Sequence, residues 1–507
     1  MVQMTKILSS EITFHAHSII DSKMRLFWWR GQLYRGIAGE DAIFVTQLFK
    51  DGVIQKLVEQ ELLIESKLTP LELGGFDMVV SHQTLPFNSY SIEWCAAMVK
   101  DAVLTLLEFG IEVAKHGFAL EDAHLGNVIF DGYKPVFIDL GSIKPFDKCV
   151  HYFRWDSYHE FLQFSLYPLI LMSQVKDKVA RLLMVDPKGI SKSNFLLLTR
   201  RAGRSVQLPN PPIIVRLQLG LMQVLPLSYL DWLRNKLSSS QAVFTKQWHE
   251  PKPESEFLES HNPQPKSEFL EKIKHKTYLK LLEKMREYVK SINLPSFQTE
   301  SLNQSESSIL SLSIQDTWTA KQMAVYKCLS ELKPSSVLDI GCHTGWYSKL
   351  AALSGSQVVA FDKDPACITQ LYYEAREKKL PILPLVMDFT QSTPAYGLSS
   401  YRYVAATERF QCEMVLALGL VHHIVYEQKP PQFNHIAEGL ALFSKRWLIV
   451  EFVPLEDSEM LRFRSLRHSW YTLENFLNAL KKRFSSIHTM LSHPKPRVLL
   501  LCQKSYL

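Results

Sequence analysis

From about residue 314 to the end of the chain, apolar runs of five or six residues alternate with stretches whose apolar positions recur at three and four spacing. A period that switches back and forth in this way predicts strands separated by helices, the order of a parallel sheet covered on both faces. The runs place strands at 336–340, 357–361, 382–387, 413–418 and 447–452, with a closing antiparallel pair at 484–491 and 497–503. Arg497 to Cys502 is apolar after its one charge, as a strand buried on both faces requires. The expected class is α/β, a seven-stranded unit preceded by an α+β unit.

The first 235 residues mix the two periods less regularly. Arg25 to Trp29 and Gln32 to Ile37 read as a hairpin around Arg30-Gly31, and Ala42 to Leu63 as a helix. Pro86 to Tyr90 reads as a loop, followed by an amphipathic helix over Ser91 to Lys115 whose aromatic and Met positions suit a core. Val128 to Phe130 and Val136 to Ile138 predict two short strands joined through Asp131-Gly132. The apolar run 161–172 is broken by Gln163 and Pro168 and is too short to span a bilayer; a buried, kinked helix is expected.

Between these halves the character changes. Pro251 to Glu259 and its near copy Pro263 to Glu271 repeat twelve residues apart among Ser, Gln and Asn, a composition that buries little. The expected organisation is therefore an N-terminal domain over 1–235, a low-complexity linker over 236–313, helical across 269–292, and a C-terminal domain over 314–507.

Composition narrows the class. At 507 residues the chain exceeds one ordinary core, and 46% hydrophobic with 21% charged residues is the balance of a soluble globular protein. The net charge of +6 is scattered apart from groups such as Lys481-Lys482-Arg483, which read as a solvated helix face, so no nucleic-acid partner is expected. Seven cysteines without a Cys-x-x-Cys pair argue against a disulfide framework and against zinc. With no apolar stretch behind a basic start, no secretory signal is read, and a cytoplasmic protein without a membrane span is expected.

The chemistry gathers at strand ends. In VLDIGCHTGWYS, residues 337–348, a strand runs into Asp339-Ile340-Gly341, Thr344 is positioned to cap, and a helix follows from Trp346 to Leu353. Gly341 and Gly345 leave no Cβ in the way of a small molecule at the carboxyl end of a strand. Their Asp-x-Gly-x-x-x-Gly spacing differs from the dinucleotide fingerprint. Asp362, 23 residues after Asp339, ends the next strand where a carboxylate can accept both hydroxyls of a ribose. Asp388 and Phe389 end the third, suited to an exocyclic amine and an adenine face. The fourth ends in Leu418-Gly419 and leads to His422-His423.

This ordered set resembles class I S-adenosylmethionine-dependent methyltransferases, which implies a Rossmann-like seven-stranded domain. By that resemblance S-adenosylmethionine is the cofactor, held by Asp339, Gly341, Cys342, Gly345, Asp362, Asp388, Phe389 and Leu418. The Asn/Asp-Pro-Pro-Tyr tetrad of the family's base and amide N-methylases is absent, which favours an oxygen acceptor. A hydroxyl acceptor needs a base near neutral pKa, and His422 or His423 supplies one. Glu451, at the next strand end, is a second candidate catalytic residue. Against these stand plainer readings: a packed histidine, and a glutamate capping a turn or paired with Arg462 or Arg464.

In the first half, Asp122 and Asn127, followed twelve residues later by Asp139, have the spacing of a phosphotransferase catalytic loop and metal site. The upstream part of that template is missing: there is no glycine-rich loop and no Val-Ala-x-Lys, and neither Arg35 nor Lys50 is singled out as a phosphate cation. A kinase-like scaffold without activity is the favoured reading, and an active site on Mg-ATP the alternative.

The order Gly31 to Arg35, Ser89 to Cys95, Lys100-Asp101-Ala102, Leu120 to Ala123 with Asn127, then Pro135 to Asp139 resembles NoeA-type nodulation methyltransferases and their bacterial relatives. The chain departs from that pattern at Glu121 and Ser91. Relatives of this kind decorate carbohydrate or surface-glycan molecules, so the resemblance implies a small or glycan-like acceptor, and the N-terminal domain is expected to recognise it.

Overall fold

The computed structural model describes residues 5–15, 18, 22–151, 154–199, 265–295, 318–397, 402–427, 432–466 and 468–505. The first copy of the linker repeat and the Ser-rich stretch to 313 lie outside these residues.

The N-terminal half is built on a five-stranded antiparallel sheet: β1 (Thr13–Phe14), β2 (Met24–Trp29), β3 (Gln32–Ile37), β4 (Ser66–Leu68) and β5 (Met78–His82), in the order β1-β2-β3-β5-β4. The β2–β3 hairpin turns on Arg30 and Gly31, both with positive φ (50° and 77°), the conformation that matches the twist of the strands. Between β3 and β4 lie α1 (Glu40–Lys50) and α2 (Val53–Glu59). The expected single helix over 42–63 is broken here because Gly52 takes a left-handed conformation, although the apolar spacing continues through it.

The expected helix over Ser91 to Lys115 also starts later. Ser91–Glu93 forms one tight turn, with the Tyr90 N–H donating to the Glu93 carboxylate at 2.8 Å, and α3 runs from Ala96 to Lys115. Nearly every face of α3 is buried, because it crosses the middle of the half. Phe109 stacks on Phe137 at 4.1 Å. The hairpin of β6 (Val128–Asp131) and β7 (Lys134–Phe137) flanks it. The run 158–173 is one buried helical stretch with a wide turn at Leu162–Leu166, where the Gln163 carbonyl accepts from the Ile190 N–H at 3.1 Å.

Helix α4 (Pro265–Ser291) begins within the second repeat copy and packs along α3 through Tyr278, Leu281, Leu282, Met285 and Val289. Lys100 on α3 donates to the carbonyls of Lys290 and Ile292, closing the end of α4 with a cation.

The C-terminal half is a seven-stranded sheet. Its strands are β8 (Ser336–Ile340), β9 (Gln357–Asp362), β10 (Ile382–Val386), β11 (Cys412–Ala417), β12 (Ser444–Phe452), β13 (Ser486–Leu491) and β14 (Val498–Gln503), ordered β10-β9-β8-β11-β12-β14-β13. The first five pair in parallel and the last two are antiparallel. Helices α5 (Ala320–Leu332), α6 (Trp346–Leu353), α7 (Pro365–Glu377), α8 (Val421–Glu427), α9 (Phe433–Phe443) and α10 (Leu473–Lys481), with a single helical turn at Ala406–Arg409, accompany the sheet. The central strands are buried along their length, which is why they read as continuous apolar runs. Strand order reverses between β8 and β11, so the crevice at the carboxyl ends of those strands is where an open sheet of this kind takes a ligand. No helix among the described residues is long and apolar enough to cross a membrane.

Candidate cofactor and acceptor site

Three of the five residues after β8 have positive φ: Gly341 (69°), His343 (51°) and Gly345 (74°). The loop they form is tied to the neighbouring strand, since the N–H groups of Gly341 and Cys342 both donate to the Phe361 carbonyl, at 2.8 and 3.1 Å. A Cβ on Gly341 would stand 3.0 Å from Leu420, and one on Gly345 only 2.5 Å from Leu371 of α7. The second glycine therefore serves both the turn and the close packing of α7. Helix α6 starts directly from Gly345 with no side-chain cap; Thr344, expected to cap it, is buried instead.

Asp339 is 3% exposed and accepts from Ser348 Oγ of α6 at 2.6 Å. It fixes the loop from behind. Asp362, half-buried at the end of β9, accepts from the N–H of His343 at 2.9 Å and, with its other oxygen, from the N–H of Asp364 at 2.9 Å. Each carboxylate oxygen has a further lone pair, so the group is aimed by the backbone while retaining capacity for hydroxyl donors. Asp388 accepts from Thr390 N–H and Oγ1, both at 2.8 Å. The ring of Phe389 turns toward α9, filling the space above Gly439 and lying 6.3 Å from Phe443. Cys342 is buried, and that burial holds its thiol well above the ordinary range. Leu418 lies half-buried just past β11, followed by Gly419 at φ 67°. The strand order thus lines up Asp388, Asp362, the Gly341–Gly345 loop and Leu418 along one edge of the sheet.

Beyond Leu418 the chain enters α8 with His422 and His423, whose rings lie 4.2 Å apart. His422 is wholly buried, with Nε2 3.3 Å from Glu459 Oε2. Burial pushes its pKa down and Glu459 opposes that. In turn, His422, with Arg497 adding to it, holds the Glu459 carboxyl down at about 2. His423 is half-exposed, with Arg462 Nη2 3.2 Å from its Nδ1. These two histidines and Glu459 have ligand atoms within 4.8 Å of one another. Guanidinium groups beside two of the three, Arg462 on His423 and Arg497 on Glu459 at 3.1 Å, make the cluster an ionic network rather than a cation site.

Glu451 is fully buried. Of its expected partners, Arg462 lies beside His423 instead, and the Arg464 side chain lies outside the described residues; Lys321 of α5 donates to Glu451 at 2.8 Å, and Ser492 donates to its other oxygen. Both partners are more than forty residues away along the chain, so no local spacing announces them. Glu459 and Arg497 were likewise invisible to motif reading. The faint signal was an acidic pair, Asp457 and Glu459, just past a strand end.

The phosphotransferase-like residues of the first half also come together. Arg35 on β3 meets Asp139 at 2.9 Å across 104 residues, and Asp139 accepts further from Ser142 Oγ at 2.8 Å. Asn127 donates to the Asp122 carbonyl (3.4 Å) and to Ser142 Oγ (3.3 Å). Of the two cations that the sequence leaves open, Arg35 is the one paired with Asp139. Burial raises the Asp122 carboxyl, and the charges of Asp139 and Glu121 raise it further. The Arg35 Nε is buried without a hydrogen-bond partner.

No family model matches the chain. Nearly its whole length is similar to nodulation protein NoeA of Rhizobium meliloti (strain 1021), 24% identical over 505 residues that cover 97% of this chain and 96% of that protein. The expected likeness to NoeA-type proteins is thereby borne out. Among solved structures, the chain is similar to magnesium protoporphyrin IX methyltransferase from Synechocystis PCC 6803 with bound S-adenosylmethionine, at 17% identity over 36% of this chain and 79% of that one, with a TM-score of 0.26. It is also similar to N-methyltransferase NodS from Bradyrhizobium japonicum WM9, at 12% identity over 36% of this chain and 95% of that one, TM-score 0.27. A third is the bifunctional kinase-methyltransferase WbdD, at 16% identity over 36% of this chain and 38% of that one, TM-score 0.27.

Proposed function

We propose that the C-terminal half binds S-adenosylmethionine and transfers its methyl group to a hydroxyl of a small or glycan-like acceptor. The observation that carries this reading is the row of strand-end groups along one edge of the sheet, with Asp362 held by two backbone N–H donors beside a tight loop turned by Gly341, His343 and Gly345 at positive φ. Asp362 would accept from the ribose hydroxyls, Asp388 would receive the adenine amine, and the Gly341–Gly345 loop would lie under the amino acid part. S-adenosylmethionine, when bound, supplies an electrophilic methyl on a sulfonium.

The chain's part is then to align acceptor and donor and to take a proton. His423 is the better candidate of the two for proton removal, being half-exposed where His422 is enclosed behind it. The transfer balances simply: the methyl–sulfur bond breaks, a methyl–oxygen bond forms, and the hydroxyl proton passes to the imidazole. Glu451, with both oxygens engaged, holds α5 to the sheet rather than acting as a base. The test is release of S-adenosylhomocysteine by the full chain across a panel of sugars, lipid-linked sugars and hydroxylated metabolites. Turnover with one acceptor class, the label found on oxygen, is expected; label on nitrogen would refute the acceptor atom.

A second reading concerns the first half, and the Arg35–Asp139 pair favours it. We infer that the cluster around Asp139 accepts the phosphates of Mg-ATP, with Asn127 and Asp139 as metal ligands, Arg35 as the phosphate cation and Asp122 facing the acceptor hydroxyl. Magnesium-dependent ATP binding lost in Asp139→Ala is expected; no binding by the wild-type chain would overturn the reading, and binding that persists in the variant would remove Asp139 as a metal ligand.

A further inference from the structure

The stretches Ser89–Cys95 and Lys100–Asp101 carry none of the chemistry above, yet both lie on the seam between the halves. Asp101 of α3 accepts from the Tyr372 hydroxyl at 2.7 Å and from the Arg376 guanidinium, both on α7. Tyr372 is fully buried, and Phe130 of β6 packs edge-on against it at 6.1 Å. The adjacent residue, Leu371, is the side chain that occupies the space left by Gly345. At its other end α7 starts from Asp364, which caps Ala366 N–H at 2.8 Å and whose own N–H aims Asp362. One helix therefore touches the N-terminal half on one side, and the loop and the ribose carboxylate on the other.

A second anchor lies past the adenine-side end of β10. Arg409 donates to both oxygens of Glu93, with the two side chains 5% and 1% exposed, and its guanidinium lies 4.2 Å over the Tyr90 ring. The Tyr90 hydroxyl accepts from the Val404 N–H at 2.9 Å, and Tyr90 packs on Tyr403 at 4.6 Å. The 402–409 segment leads into β11, so its course is set by residues of the other half.

We propose that Asp101 and Glu93 are positioning residues for the adenosyl site, through which the N-terminal half sets its geometry by way of α7 and the 402–409 segment. The inference rests on the cofactor reading above. A helix is stiff over its length, so a shift at Tyr372 displaces Leu371 against Gly345 and turns Asp362 away from two hydroxyls that require bidentate geometry.

The experiment is titration of the full chain with S-adenosylhomocysteine, paired with the KM for S-adenosylmethionine and kcat. In Asp101→Ala the dissociation constant and KM should rise about tenfold, the loss of roughly one charge-assisted hydrogen bond, while kcat at saturating cofactor stays within twofold. Tyr372→Phe, which preserves the volume of the ring, should show the same split, and the double variant should be no weaker than the worse single one. If Asp101→Ala fails to fold, Tyr372→Phe carries the test alone. A folded variant whose dissociation constant stays within twofold of wild type overturns this inference and leaves the cofactor reading intact; a wild-type chain that binds no ligand overturns both.

Discussion

Lys321 reaches from α5 to the fully buried carboxylate of Glu451 at 2.8 Å, joining the helix that precedes the sheet to the end of β12. Removing one member of a buried ion pair strands the other charge in a medium that solvates it poorly. Lys321→Met should therefore cost about 3 kcal/mol in urea denaturation. Adding Glu451→Gln should recover much of that loss, because the remaining amide no longer carries a charge. Equal stability of wild type and Lys321→Met would show that the pair contributes nothing.

His82 governs the acid side of the stability profile. Burial first, then the neighbouring Arg35, pushes its pKa down to about 3, against an unfolded value near 6.5. The unfolded chain therefore binds the extra proton, so this contribution is complete above pH 6.5 and is lost as the pH falls toward 3. Over the upper part of that window, from pH 6.5 to 5, where few carboxylates titrate, the loss should reach about 2 kcal/mol. His124 and His422, also depressed by burial, add in the same direction. Urea midpoints at pH 5 and 7 check this: the difference should shrink in His82→Gln. An unchanged slope in that variant would reassign the effect.

The fold of the second half was legible because its central strands are buried on both faces and its helices on one, so the two periods separate cleanly in the sequence. The cofactor loop was legible for the same reason, a strand ending in glycine. Elsewhere local pattern and outcome diverge. Residues 42–63 keep helical spacing through Gly52, where one left-handed residue splits the helix. Residues 91–95 keep it too, but Glu93 turns inward to Arg409 instead of continuing a helix. The partners of Glu451 and His422 were unreadable, because Lys321, Ser492, Glu459 and Arg497 approach them only through the tertiary fold.

The two adjacent histidines separate by burial into different roles. His423→Ala should lower turnover by about two to four orders of magnitude, the usual range for losing a general base, while S-adenosylhomocysteine affinity stays within twofold. His422→Ala removes a wholly buried ring, so its first effect should be a lower melting temperature. Paired turnover and binding measurements distinguish the two. Full turnover in His423→Ala would remove it as the base.

The central claim is that the edge of the C-terminal sheet holds an adenosyl ligand through Asp362. Calorimetric titration of the full chain with S-adenosylhomocysteine, beside Asp362→Ala, tests it most directly. One saturable site is predicted, weakened about tenfold or more in the variant by the loss of hydrogen bonds to a charged acceptor. No saturable binding by the wild-type chain, or equal affinity in Asp362→Ala, would contradict it.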